Sequence, residues 1–156
     1  MTKGSMIMSE PARPIGKATL TAWSKEQIQN GMPRWVLYRR LMKMQSETND
    51  LEEMQVLGSA ADALEGTMVD RNMKGIALEK QGKADKAMAL YEANIADQFD
   101  GSHPYNRLRI LYKTRGNYVD AIRVCEAYIA NSGQDQKLCE SFRAEITKLK
   151  AKTSNS

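Results

Sequence analysis

Two stretches of this chain repeat one pattern of glycine and alanine at a spacing of 34 residues. Gly82 and Gly116 stand 34 positions apart, and Ala87 and Ala121 keep the same distance. The stretches read QGKADKAMAL and RGNYVDAIRV. A fixed period of this length indicates repeated supersecondary units that stack, because one such unit cannot bury its apolar face alone.

Each repeated unit is predicted to be a pair of antiparallel helices. Glycine adopts the positive φ that ends a helix without steric cost, so Gly82 and Gly116 are expected to form the tight turns. The alanine that follows each turn has a small side chain, which leaves room for the partner helix to come close. The predicted repeats span residues 68–97 and 102–131.

The two segments resemble tetratricopeptide repeats. The first, GIALEKQGKADKAMALYEANI, carries the family's small residue of the first helix, its turn glycine, its small residue of the second helix and its later aromatic: Gly75, Gly82, Ala87 and Tyr91. The second, YNRLRILYKTRGNYVDAIRVCEAYI, carries matching aromatic, leucine, glycine and alanine positions: Tyr105, Leu108, Tyr112, Gly116, Tyr118 and Ala121. The resemblance implies an all-α fold, a right-handed α-solenoid of antiparallel helix pairs, which binds a peptide or helix of another protein on its concave face.

Some positions differ from the family's usual residues. Lys74 stands in place of leucine, and Arg109 stands in place of the small residue of the first helix. Cys125 replaces the aromatic of the second helix, while Asn94 and Tyr128 occupy a position that is usually alanine. These replacements bear on the spacing of the helices and leave the fold class unchanged.

The flanking sequence predicts further helices, about seven in all. Pro33 at a favoured first helical position opens one helix, and Thr48 or Asn49 caps a second that runs to about Leu64 and ends at Gly66. The predicted organisation is a disordered segment 1–22 followed by one helical domain 23–152, composed of a divergent hairpin (33–65), the repeats (68–97 and 102–131) and a capping helix (134–151). Residues 153–156 are also expected to be poorly ordered.

The binding surface that the resemblance implies is the inner wall, which is formed by the first helix of each pair. The side chains predicted to face it are Asn72, Met73, Ile76, Glu79, Asn106, Arg107, Ile110 and Lys113. Asn72 and Asn106 would lie one above the other, where their amides could hold a peptide backbone by hydrogen bonds. Arg107 and Lys113 add positive charge, which suits an acidic or C-terminal carboxylate ligand.

Composition and motifs exclude other classes. Hydrophobic residues make up 42% of the chain and charged residues 27%, so a packed core is possible. His103 is the only histidine and no catalytic motif is present, so no enzyme, cofactor or metal is predicted. No apolar run approaches the roughly 18 residues of a membrane span. With Cys125 and Cys139 expected to be reduced and mostly buried, a cytoplasmic protein is predicted.

A second interpretation comes from the segment GMPRWVLYRRL, residues 31–41, which resembles the turn and recognition helix of a helix-turn-helix. Gly31 would form the turn, Leu37 would be buried, and Ser24 with Gln27 would make a capping box for a short preceding helix. The side chains that could contact nucleic acid are Arg34, Tyr38, Arg39 and Arg40. The alternative function is therefore a DNA-binding regulator that joins this segment, 24–43, to tetratricopeptide repeats.

A third interpretation is self-association. The chain has 10 methionines, whose flexible apolar side chains suit adaptable interfaces. A protein or peptide partner is the main prediction, and a homo-oligomer is the alternative. The net charge of +4 is spread among charges of both signs, so a nucleic-acid partner is not favoured.

Overall fold

The computed structural model describes residues 10–132 and 135–154, and within them the chain is all helical. Seven α-helices and no β-strand are present in this described part, which confirms the predicted all-α class. Their bounds are α1 (Lys17–Gln29), α2 (Arg34–Glu47), α3 (Leu51–Lys80), α4 (Ala84–Ala96), α5 (His103–Thr114), α6 (Tyr118–Asn131) and α7 (Gln136–Ser154). Consecutive helices pack on each other from α4 to α7, and α1 packs on α2, as short connections favour.

The chain divides into two compact units, residues 1–69 and 70–156. The boundary falls inside α3, so the first part of that helix belongs to one unit and residues 70–80 to the other. Each unit has its own apolar core.

Glycine turns close the helix pairs of the second unit as predicted. Gly82 and Gly116 both have φ of 73°. After α3, the Lys83 N–H donates to the Leu78 carbonyl at 2.8 Å and the Gly82 N–H donates to the Glu79 carbonyl at 3.0 Å. This is the Schellman arrangement, which satisfies carbonyls that a helix end leaves free. The same two bonds recur after α5, at 2.9 and 3.0 Å.

The turn between α1 and α2 is made in the same way. Gly31 has φ of 95°, and the Met32 and Gly31 N–H groups donate to the carbonyls of Gln27 and Ile28, both at 3.0 Å. Gly31 is therefore a helix-terminating glycine of the kind found at Gly82. Because this turn also occurs in ordinary helical hairpins, its presence does not distinguish a helix-turn-helix.

Helix α3 is longer than predicted. It runs unbroken from Leu51 to Lys80, so the prediction that Gly66 ends a helix is wrong. A glycine costs about 1 kcal/mol in a helix interior, which is too little to break a helix whose flanking residues continue the pattern. The predicted caps are also displaced, because the Asp50 side chain accepts a hydrogen bond from the Glu53 N–H at 3.0 Å.

The core of the second unit forms around the two alanines of the repeat. Ala87 and Ala121 are both fully buried, as the hairpin geometry predicts. Aromatic side chains connect the last three helices: the rings of Tyr105 and Tyr128 meet edge to face at 5.4 Å, and those of Tyr128 and Phe142 stack at 4.3 Å. Aromatic pairs of this kind add to the free energy gained by burial.

The first unit shows order where disorder was predicted over 1–22. Helix α1 begins at Lys17, and Ile15 just before it is 3% exposed. The Ile15 N–H donates to the buried Glu53 carboxylate at 3.0 Å, and Arg13 forms an ion pair with the same carboxylate. The prolines of this stretch therefore precede the helix and do not prevent it. Residues 1–9 lie outside the described residues.

Helix α7 closes the second unit. It buries Cys139, Phe142 and Leu149, while Lys137, Ala144 and other small or polar residues face outward. An outer face without large apolar side chains has nothing to offer a further repeat, as expected of a capping helix. The predicted start at 134 and the last two residues of the chain lie outside the described residues, and Thr153 and Ser154 are helical.

Candidate functional site

Two departures from the repeat pattern prove to be complementary. In the first hairpin, a Cβ on Gly75 would lie 2.4 Å from the ring of Tyr91, so only glycine fits there. The equivalent pair 34 residues later is Arg109 and Cys125, with the large residue on the first helix and the small one on the second. Burial raises the pKa of the Cys125 thiol to about 11, and the nearby Arg109 guanidinium opposes that rise. Both hairpins therefore pair one large with one small side chain, in opposite order.

The long side chain of Arg109 reaches α7. Its Nη1 lies 2.8 Å from Glu145 Oε1, and Lys113 Nζ lies 2.7 Å from the same oxygen. The Arg109 guanidinium also lies over the Phe142 ring, 5.6 Å from its centre. Burial acts to raise the pKa of Glu145, but hydrogen bonds from Lys113 and Arg109 outweigh it and hold that pKa below its ordinary value. Arg109 thus fixes the capping helix against α5.

Glu79 connects three helices at the centre of the predicted inner wall. Arg107 of α5 donates two hydrogen bonds to its carboxylate, at 2.5 and 3.2 Å, and the Tyr91 hydroxyl of α4 donates a third at 2.7 Å. The hydrogen bond from Arg107 lowers the pKa of Glu79 below its ordinary value of 4.5. Such a bidentate, charge-assisted pair is stronger than a neutral hydrogen bond. Two residues predicted to bind a ligand therefore bind each other.

Replacing Glu79 with glutamine tests this linkage. We expect Glu79→Gln to lower the free energy of unfolding at about pH 7 by about 1–3 kcal/mol, since it removes the charge from three hydrogen bonds. Because the folded-state pKa is lower than that of the unfolded chain, the carboxylate contributes stability above the unfolded value and loses it as pH falls through the folded value. The difference between wild type and variant should therefore shrink below about pH 4.5.

Urea denaturation across that pH range measures the effect. Glu126→Gln is the matched control, because Glu126 is exposed and has no ion pair within the described residues. Equal losses for the two variants, or a difference between wild type and Glu79→Gln that does not shrink as the pH falls below about 4.5, would contradict the linkage.

Asn72 is also engaged inside the protein. Its Oδ1 accepts a hydrogen bond at 3.0 Å from the amide nitrogen of Asn94, which is fully buried. Arg71 donates to the side-chain Oδ1 of Asn94 at 3.2 Å and forms an ion pair with Asp97 at 2.7 Å. Asn94 occupies the position that is usually alanine, and these bonds satisfy both ends of its side chain. Asn106 instead accepts a hydrogen bond from Arg109, so the two asparagines are not equivalent.

The other residues predicted to line the inner wall differ in their exposure to solvent. Met73 is 61% exposed and Asn106 is exposed, while Ile76 and Ile110 are half-buried. Along α5, Asn106, Ile110 and Lys113 recur at helical spacing and so share one face. The accessible residues of the predicted wall are therefore two isoleucines, a methionine and an amide, while its charged residues Glu79, Arg107 and Lys113 are already paired.

His103 was not predicted to pack on another side chain. It begins α5, is half-buried, and meets the Tyr91 ring edge to face with centres 5.4 Å apart. Burial lowers the pKa of His103 below its ordinary value of 6.5. His103 therefore packs on Tyr91 close to Glu79 and Arg107, at the edge of the network that Glu79 forms.

The residues predicted to contact nucleic acid pack largely on their own unit. The Tyr38 ring stacks on Trp35 at 4.2 Å, and the Arg40 guanidinium lies 5.9 Å from the centre of the Trp23 ring. Arg34 is half-buried, which leaves Arg39 as the exposed member of the set. Leu37 is fully buried, in agreement with its predicted role.

The predicted capping box before this segment is wrong. Ser24 lies in the middle of α1, and Gln27 is buried on the same helix with 1% exposure. The helix extends back to Lys17 because Leu20, Trp23 and Gln27 present one buried face. The preceding helix is therefore longer than the helix-turn-helix interpretation assumed.

The described residues contain no disulfide, no metal-ligand cluster and no helix that could span a membrane. Cys125 and Cys139 are both buried, as predicted, and are free thiols. Across 10–132 and 135–154, no group of three or more His, Cys, Asp or Glu side chains is placed to hold a metal ion. Over the same ranges, no helix has both the length and the apolar character to cross a membrane.

The fold defines an all-α protein built from packed helical hairpins. No protein-family model matches this sequence, and no curated protein and no solved structure matches it significantly.

Proposed function

We propose that this chain is a non-enzymatic protein-interaction module of the tetratricopeptide type, an adaptor or assembly subunit. In this proposal its hairpins form a right-handed solenoid, and a peptide or helix of a partner protein lies on the inner wall. The observation that carries the proposal is the exposed Met73 one turn before half-buried Ile76 on α3, together with half-buried Ile110 on α5. Accessible apolar side chains on a rigid helical surface are typical of sites that bind another protein.

The ion pairs of the predicted wall indicate which ligand chemistry is favoured there. Arg107 forms an ion pair with Glu79, and both Lys113 and Arg109 form ion pairs with Glu145. An acidic ligand would therefore have to displace a carboxylate that is already well paired. The terminal-carboxylate ligand considered from the sequence is therefore disfavoured. A partner with apolar side chains and free backbone groups suits Met73, Ile110 and the amide of Asn106.

Affinity capture from native cells with matched variants tests the proposal. We expect Met73→Asp and Asn106→Ala to weaken capture of the partner at least about tenfold, since both residues are exposed and lie outside the buried core. Because Asn106→Ala also removes the hydrogen bond from Arg109, thermal melting checks that this variant remains folded. Val119→Asp is the control, because Val119 is 74% exposed and lies on α6, away from the wall. Partners identified by mass spectrometry that the wall variants retain and the control loses would contradict the proposal.

DNA binding is the weaker alternative. It is supported by buried Leu37 and exposed Arg39, but the turn at Gly31 is shared with the hairpins of the second unit. Tight duplex binding with a steep salt dependence, weakened by Arg39→Ala, would favour this alternative over an adaptor.

A further inference from the structure

A groove runs along the surface of the first unit between α1 and the first part of α3, and Arg34 and Leu41 of α2 also line the end that lies away from Lys17. Both helices contribute residues at the spacing i, i+4, i+7 and i+11, which places them on one helical face. On α1 these are Lys17, Thr21, Ser24 and Ile28, and on α3 they are Val56, Ala60, Ala63 and Thr67. The groove is about 16 Å long at 1.5 Å per residue, or three turns of a helix.

Small side chains keep the groove open. Ser59, Ala60 and Ala63 line its α3 side, where larger residues would fill the space against α1. The floor is apolar, with Leu20 and Leu64 contributing to it. The part nearest the start of α1 has a volume of about 450 Å³. An apolar channel of this length between two helices fits a third helix, which lays its apolar face into the groove.

The rim of the groove is positively charged. Lys17 and Lys25 line it, both are exposed, and neither has an ion pair within the described residues. No carboxylate lines the groove in the described part of the chain. Helix α1 also has no acidic residue in its first turn, so the positive end of its dipole adds to the charge of Lys17.

We propose that this groove is a second docking site, which takes an amphipathic helix of a partner protein whose apolar stripe is flanked by Asp and Glu. The apolar floor binds the stripe, and the acidic flanks pair with Lys17 and Lys25. Complementary charge at the rim selects the partner and speeds association more than it adds affinity. The site belongs to the first unit and does not depend on the inner wall.

Two helical peptides test the site with the full chain. One is a stapled 18-residue peptide with leucine at i, i+4, i+7 and i+11 and glutamate at the flanking positions, and the other has lysine in place of glutamate. In fluorescence anisotropy, the acidic peptide should bind at least about tenfold more tightly than the basic one. The double variant Lys17→Glu/Lys25→Glu should reverse this preference.

A filling substitution checks where the peptide binds. Ala63→Trp should weaken binding of the acidic peptide at least about tenfold, because it occupies the groove. Ala22→Trp is the control, because Ala22 is exposed on α1 and does not line the groove. Circular dichroism and thermal melting check that each variant remains folded.

Several results would overturn the proposal. It fails if neither peptide binds, if both bind equally, or if the Lys17→Glu/Lys25→Glu and Ala63→Trp variants bind the acidic peptide like wild type. Displacement of the acidic peptide by a DNA duplex would instead assign the groove to nucleic acid. A concentration-dependent dimer that Ala63→Trp abolishes would assign it to a second copy of the chain.

Discussion

Replacing Gly75 with alanine should lower the free energy of unfolding by about 1–3 kcal/mol. The new Cβ would lie 2.4 Å from Tyr91 Cε1 and 2.6 Å from its Cζ. Tyr91 has little freedom to move aside, because it is fully buried and its hydroxyl is bound to Glu79. The helices would have to separate, which would weaken contacts along the whole hairpin.

The same substitution elsewhere on α3 provides the control. Gly66 is helical and exposed, and a Cβ there would meet nothing within 4 Å. Gly66→Ala should therefore raise the free energy of unfolding by about 0.5–1 kcal/mol, since alanine favours the helix. Urea denaturation of the two variants measures effects of opposite sign. Equal changes at the two positions would show that α3 and α4 do not approach as closely as described.

The largest expected effect is that of Cys125→Tyr, which should lower the free energy of unfolding by about 3 kcal/mol. Cys125 is fully buried, and Arg109 stands at the repeat position where Gly75 leaves room for the Tyr91 ring. The double variant Arg109→Gly/Cys125→Tyr copies the small–large order of Gly75 and Tyr91, so it should recover part of this loss.

A double-mutant cycle measures that recovery. Arg109→Gly alone should also destabilise the protein, because it breaks the pair with Glu145 and places glycine in a helix. We expect a favourable coupling of about 1 kcal/mol or more between the two substitutions. Additive losses of stability would mean that the large and small side chains at positions 109 and 125 do not pack against each other as Gly75 and Tyr91 do.

Features that depend on single residues were predictable from the sequence. Gly82 and Gly116 take positive φ because glycine alone does so at little cost, and Ala87 and Ala121 are buried because the hairpin leaves room for nothing larger. The end of a helix is harder to predict, since it depends on whether the residues after the glycine continue the helical pattern. Gly66 and Gly82 both follow a helical apolar pattern, but α3 continues through Gly66 and ends at Lys80, just before Gly82.

Features that depend on two distant residues were missed. Arg109 and Cys125 were recognised as separate departures, and their complementarity became visible only when the helices were adjacent. Glu79 and Arg107 were both assigned to the inner wall, but their pairing was not anticipated. Their opposite charges on neighbouring first helices were the available signal. A repeat pattern gives the face on which a side chain lies, but not whether a neighbour already uses it.

The two buried free thiols can report on local unfolding. Cys125 and Cys139 are fully or almost fully buried, on α6 and α7, so a thiol reagent reaches either one only after local opening of its helix. Labelling rates followed by peptide mapping would report how often each helix opens under native conditions. The two native cysteines therefore allow the opening rates of α6 and α7 to be measured without an engineered probe.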